Sequence, residues 1–119
     1  MAKILVVDDA KDVLAFIDQV LRSAGHDVVS FEGAEDLESQ VEKQNPHLLL
    51  LDIVLPERNG YQVLRSLRRS PKTRDLPIIL ISSKNEPTDI EWGLMQGATG
   101  YLAKPFSEQD LLEAVDRHR

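Results

Sequence analysis

Six side chains suited to binding a cation or handling a phosphoryl group stand at the ends of apolar runs in this sequence. Asp8 and Asp9 follow KILVV, Asp52 follows LLLL, Ser82 and Ser83 follow IILI, and Lys104 with Pro105 follows TGYLA. If the runs are neighbouring strands they lie roughly 4.8 Å apart, and Asp8, Asp9 and Asp52 crowd one another. Like charges that close raise each other's pKa unless a cation neutralises them. Oxygen ligands without cysteine or a convergent histidine favour a hard ion. Mg²⁺ is the natural occupant, with Mn²⁺ as its substitute. Such an ion keeps water or phosphate oxygens in part of its shell, which suits phosphoryl chemistry. Lys104 supplies a point positive charge for a phosphoryl oxygen, and Ser82 a hydroxyl donor. Asp52 is the acid free to act as nucleophile and form an aspartyl phosphate.

The elements that must aim these groups follow from the apolar period. Lys3–Val7, Leu48–Leu51 and Ile78–Ile81 are apolar almost throughout, as strands read when helices cover both faces of a parallel sheet. Asp27–Phe31 and Thr99–Ala103 are the other strand candidates. Lys11–Ala24 has Val13, Phe16, Ile17, Val20 and Leu21 at helical spacing, with Gly25 as its stop. Ala34–Lys43 is a weaker helix, Tyr61–Arg69 a helix ended by Ser70 and Pro71, and Pro87–Gln96 a helix with proline in its first turn. Glu108–His118 closes the series with Leu111, Leu112 and Val115 on one face. Five strands each followed by a helix predict one doubly wound α/β domain over residues 1–119. In such sheets ligands bind beyond the carboxyl ends of the strands, where the six side chains stand.

Composition narrows the classes. A chain of 119 residues holds one core, and no apolar run approaches the length of a membrane span. Without a signal peptide's regions in MAKILVVDDA, the chain is expected to be cytoplasmic and not inserted in a membrane. The absence of cysteine removes disulfides and thiolate chemistry. A net charge of −6 argues against nucleic acid as a partner.

Asp8-Asp9, Asp52 ahead of Pro56…Asn59-Gly60, Ser82, and Lys104-Pro105, in that order, resemble the receiver domain of two-component response regulators. The resemblance covers essentially the whole chain, and it implies a five-stranded parallel sheet of order 2-1-3-4-5. It implies that Asp52 is the phosphoacceptor served by a histidine kinase or a phosphotransfer protein. Asp9 and Asp52 then bind Mg²⁺ directly, Asp8 through water, and Val54 through its backbone carbonyl. Lys104 contacts the phosphoryl group, Ser82 and Tyr101 are the switch pair, and the bond before Pro105 is cis. A downstream protein would be met through the fourth helix, fifth strand and fifth helix. The domain would be a signalling switch that catalyses only its own phosphorylation and dephosphorylation. The segment EWGLMQGATGY is further similar to stand-alone receivers of type IV pilus, twitching or phototaxis systems.

Plainer readings stand beside these. An acid before Lys11 also suits a helix N-cap, and one of the Asp8-Asp9 pair is expected to do both jobs. A plain turn residue is the lesser alternative for Asp52, and a solvated lysine is the reading of Lys104 taken alone. Tyr101 reads as a packed strand aromatic, and Trp92 as packed, with an interface residue as the alternative. His26, His47 and His118 lack metal-ligand spacing and read as structural or surface residues. Arg65, Arg68, Arg69, Lys72 and Arg74 read as a solvated face, with a partner patch as the alternative. A haloacid-dehalogenase-like phosphatase needs an acid two residues after its nucleophile, where this chain has Val54. A nucleotide- or flavin-binding domain needs a glycine-rich turn where this chain has DDAKD. The remaining alternative is a pseudo-receiver that binds partners without being phosphorylated.

Overall fold

The apolar runs form the strands of one parallel sheet in the computed structural model, which describes residues 2–119. The elements are β1 (Lys3–Val7), α1 (Lys11–Ser23), β2 (Asp27–Phe31), α2 (Leu37–Gln44), β3 (Leu48–Asp52), α3 (Gly60–Arg69), β4 (Ile78–Ser82), α4 (Pro87–Met95), β5 (Gly100–Ala103) and α5 (Glu108–His118). The strand order is β2-β1-β3-β4-β5, the order the resemblance implies. β3 and β4 are buried along their full length, as continuous apolar runs between two helical layers must be.

Successive side chains on a strand point to opposite faces, and this splits the core in two. Ile4, Val6, Leu48, Leu50, Ile79 and Ile81 pack with the inner faces of α1 and α5. Leu5, Val7, Leu49, Leu51, Ile78 and Leu80 pack with α2 and α3. Apolar surface removed from water is worth roughly 25 cal/mol per Å², so the two clusters fix strand register strongly. A slip of one residue would exchange the two sets of side chains.

Helix ends follow local chemistry. Asn59 and Gln62 form a capping box at the start of α3, as do Ser107 and Asp110 for α5. Most boundaries lie within one residue of those expected, but α2 begins at Leu37, not Ala34. Asp36 adopts a left-handed backbone (φ 58°) immediately before it, so the helical period cannot run back to Ala34. Among the described residues, no helix is long and apolar enough to cross a membrane.

Candidate functional site

The sheet reverses direction of winding between β1 and β3, which lie side by side with Val7 opposite Leu51. β4 pairs with β3 so that Asp52 stands opposite Ile81, and with β5 so that Ser82 stands opposite Ala103. Register alone therefore gathers Asp8, Asp9, Asp52, Ser82 and Lys104 on one rim. The turns after β1, β3 and β4 start the same way. Asp8 Oδ1 accepts from the Ala10 amide (2.9 Å), Asp52 Oδ1 from Val54 (3.3 Å), and Ser82 Oγ from Lys84 (3.1 Å). These are side-chain bonds to the backbone two residues on, which turn the chain and lock the side chain together.

Asp8 caps no amide within α1. The N-cap is Ala10 and makes no side-chain bond, so neither acid of the pair fulfils the expected N-cap role. Asp8 is fully buried, while Asp9 is exposed. Carboxylate oxygens of Asp8, Asp9 and Asp52 all lie within 4.8 Å of one another. Lys104 Nζ is 2.8 Å from Asp8 Oδ2 and 3.6 Å from Asp52 Oδ2, so the lysine is held in the site and is not a solvated surface residue. Asp8 Oδ2 makes no aligned hydrogen bond, and the ammonium meets it as an ion pair.

One ammonium among three carboxylates leaves the site short of positive charge. Burial first, and then Asp8 beside it, push the Asp52 pKa up to about 6 despite Lys104. Burial alone would lower the pKa of Lys104, but Asp8 and Asp52 outweigh it and hold the lysine above its ordinary value. An all-oxygen cluster of three carboxylates with one ammonium between them carries excess negative charge and fits a hard divalent cation.

Gly60 shows how closely the loop after Asp52 returns. A Cβ at that position would lie 2.5 Å from the Asp52 carbonyl oxygen and 2.8 Å from Ile53 Cα. Only glycine lets α3 start against the strand that carries Asp52. The Lys104–Pro105 peptide bond is cis.

The serine pair separates cleanly: Ser82 is buried on the rim and Ser83 is exposed. Tyr101 is half-buried and its hydroxyl donates to the Lys84 carbonyl at 2.7 Å. Lys84 thus accepts from Tyr101 with its carbonyl and donates to Ser82 with its amide. No side-chain pattern could have announced this bridge, because backbone atoms make it. Burial raises the Tyr101 pKa, which keeps its hydroxyl a donor.

Two plainer expectations fail. Trp92 is not buried: 51% of it is exposed, alongside Leu94 and Met95 on α4, with its ring edge-on to Tyr61. The basic run is not uniformly solvated either. Arg68 donates from Nε to the Gly97 carbonyl (2.8 Å) and from a terminal nitrogen to the Arg74 carbonyl (3.1 Å), tying α3 to the segment before β5. The histidines are structural where they are bonded: His26 and His47 accept the Ala2 and Lys3 amides through Nδ1. An apolar groove of about 460 Å³, lined by Val13, Phe16, Pro105 and Phe106, opens beside Lys104 and Ser83.

Comparison with known proteins gives a consistent answer. The family model described as the response regulator receiver domain matches residues 4–116. Protein PilH of Pseudomonas aeruginosa is 36% identical over 116 residues, covering 98% of this chain and 96% of PilH. Protein PilG of the same organism is 30% identical, covering 98% of this chain and 86% of PilG. These relatives bear out the resemblance to stand-alone receivers of pilus systems. The chemotaxis protein CheY4 of Vibrio cholerae superimposes with a TM-score of 0.92 at 26% identity, over 100% of this chain and 99% of that one. The BeF3-activated receiver domain of RstA from Klebsiella pneumoniae gives 0.89 at 30% identity, over 98% and 97%.

Proposed function

We propose, from the premise that this chain belongs to the response regulator receiver domain family, that Asp52 accepts a phosphoryl group from a histidine kinase or a phosphotransfer protein. The observation that carries the reading is the gathering of Asp8, Asp9, Asp52 and Lys104 at the strand ends, with too little positive charge for its carboxylates. Asp9 and Asp52 would hold Mg²⁺ directly, Asp8 through water and Val54 through its backbone carbonyl. When bound, the ion supplies positive charge to the phosphoryl oxygens.

The chain's own residues do the rest. Above a pKa of about 6, Asp52 is a carboxylate, the form that attacks phosphorus. One of its oxygens forms the P–O bond as the P–N bond to the donor histidine breaks, and the imidazole leaves with a proton. Lys104, already 3.6 Å from Asp52 Oδ2, pairs with a phosphoryl oxygen carried by that residue. Ser82 uses its oxygen as an acceptor for the Lys84 amide, and its hydroxyl lies within reach of the Tyr101 oxygen, so donating to the phosphoryl group would draw its proton away from the tyrosine. Turning Ser82 disturbs one side of the Lys84 peptide bridge, and Tyr101 on the other side responds. The surface of α4, β5 and α5 then changes for a downstream protein.

Phosphorylation need only bias two existing arrangements. The domain works in the cytoplasm as a switch, without inserting in a membrane or binding nucleic acid, and catalyses no reaction but its own phosphorylation and dephosphorylation. The groove of Val13, Phe16, Pro105 and Phe106 beside Lys104 suits the approach of the phosphodonor.

Intact mass after incubation with acetyl phosphate and Mg²⁺ tests the proposal. Wild type is expected to gain one phosphoryl group and Asp52→Ala none. No gain, under conditions that label another receiver, would sink the reading. A gain that survives Asp52→Ala would move the acceptor elsewhere.

A further inference from the structure

Gly93 lies in the interior of the nine-residue α4 and is the buried residue of that helix. Glycine is a poorer helix former than alanine in such a place, and the helical backbone at 93 does not require it. What requires it is space. A Cβ at this position would stand 3.0 Å from Leu80 Cδ1, and 3.1 and 3.2 Å from Cδ2 and Cε2 of Tyr101. All three distances are shorter than ordinary van der Waals contact.

The two neighbours differ in their freedom to yield. Leu80 is fully buried on β4, between other core side chains, where displacement forces repacking. Tyr101 is half-buried on β5, an edge strand, and polar contacts hold the tip of its ring: the hydrogen bond to the Lys84 carbonyl and the Ser82 hydroxyl beside it. An added methyl group would therefore displace the tyrosine. We infer that Gly93 is a positioning residue for Tyr101: the missing side chain at 93 is the slot that admits the ring in the pose bonded to Lys84. The inference deepens the reading of Tyr101 and Ser82 as a switch pair and rests on it.

The slot separates phosphorylation from its readout. None of the close neighbours of position 93 is Asp8, Asp9, Asp52, Ser82 or Lys104. Gly93→Ala is thus expected to leave phosphoryl uptake by Asp52 within about threefold of wild type, as for a change outside the reacting groups. It is expected to move Tyr101 off the Lys84 carbonyl whether or not Asp52 is modified.

The full chain labelled with 3-fluorotyrosine provides the test, because its two tyrosines, Tyr61 and Tyr101, give two fluorine resonances. Tyr61→Phe assigns them. In Gly93→Ala the Tyr101 resonance should move toward the position of free fluorotyrosine. It should also lose its response to Mg²⁺ with beryllium fluoride, which mimics the phosphoryl group. A double-mutant cycle with Tyr101→Ala, read by urea unfolding, isolates the contact. With the ring removed, only the Leu80 contact opposes the helix preference for alanine, so Gly93→Ala should shift the unfolding midpoint upward relative to its effect with the ring present. With the ring present, the Tyr101 contact is added, and the midpoint shift should be lower by the coupling of the two positions. If Gly93→Ala folds only in the Tyr101→Ala background, that is the same coupling in its extreme form. An unmoved Tyr101 resonance overturns the inference, and so does an equal midpoint shift in both backgrounds. If wild type takes up no phosphoryl group, the phosphoacceptor reading fails, while the cycle still reports on the slot.

Discussion

The two ends of the sheet are built from the same parallel ladder and treat polar groups in opposite ways. Where the strands begin, donors meet acceptors. The Lys3 amide reaches His47 Nδ1 (2.9 Å), the Ala2 amide His26 Nδ1 (3.0 Å), and the Ile78 amide Thr99 Oγ1 (3.0 Å). Thr73, buried just before β4, donates to the Leu67 carbonyl at the end of α3. Where the strands end, acceptors meet acceptors, and one lysine stands among three acids. The first end is arranged for stability. The second keeps charge close together that would be more stable apart, and perturbed groups of that kind mark places where chemistry is done.

Asp52→Asn is the sharpest way to break this contrast, because it should make the domain more stable. The folded pKa of about 6 lies above the ordinary value of 3.8, so the folded state binds the proton more tightly than the unfolded chain does. Ionised Asp52 thus costs stability above pH 6. The penalty is relieved as pH falls from about 6 to about 4, where folded Asp52 takes up its proton. In the absence of divalent cation, Asn at 52 should add about 2 kcal/mol at pH 7. The gain should fade toward pH 4, measured by urea unfolding across that range. Millimolar Mg²⁺ should stabilise wild type by a comparable amount, about 2 kcal/mol, and Asp52→Asn far less. A less stable Asp52→Asn at pH 7 would mean that the rim carries no such penalty.

The other end should respond to acid with the opposite sign. Burial lowers the pKa of His26 below 6.5, so its contribution is fully present above pH 6.5 and is lost as pH falls through the folded pKa. His26→Gln should flatten the loss of stability on the acid side of pH 6.5. Thr73→Val tests the same end without titration. It removes one buried hydroxyl and leaves the Leu67 carbonyl without that donor, at a cost of about 1 kcal/mol. A neutral substitution there would show that the end is less finely satisfied than the bond indicates.

The sequence makes this contrast half legible. Lys3–Val7, Leu48–Leu51 and Ile78–Ile81 announce buried strands, and the first polar residue after each run marks the rim, so Asp8, Asp52 and Ser82 could be read directly. The strand order came from the resemblance, since apolar runs do not say which neighbours pair. The start of α2 is hidden in the sequence because Ala34, Leu37 and Val41 keep a helical period, and all three are buried. The left-handed turn at Asp36 nevertheless interrupts the helix between them. The satisfied end was nearly invisible. His26, His47 and Thr99 are unremarkable polar residues until the fold brings to each an amide at the start of a strand or, for His26, the one just before it. Arg68 resembles its solvated neighbours in sequence, yet its fixed geometry serves three carbonyls, those of Gly97, Thr73 and Arg74. Trp92 suggested burial by its type, but α4 turns glycine to the sheet and leaves tryptophan outside. Each miss depends on tertiary placement that local pattern does not encode.

The smallest expected effect lies just beyond the rim, where a carboxylate does have its own partner. Arg58, in the loop after β3, forms a forked pair with Glu38 on α2, with 2.7 Å between NH1 and Oε1. Arg58 first of all holds the Glu38 pKa down to about 2, against the upward push of burial. A lowered carboxylate pKa contributes stability above the ordinary value of 4.5 and loses it as pH falls toward 2, the reverse of Asp52. About a third of each side chain is exposed, so water screens the pair and the shift does not convert into its full free energy. Glu38→Gln should therefore cost under about 1 kcal/mol at pH 7, and the difference should shrink in molar salt and vanish near pH 2. Urea unfolding of wild type and Glu38→Gln at low and high salt, beside Asp52→Asn under the same conditions, would set the two carboxylates side by side. Opposite signs at pH 7 are expected because Glu38 has an arginine to itself, while Asp52 is buried, lies beside Asp8 and shares a lysine with it. Equal signs would mean that burial alone, and not the sharing of one cation, governs both.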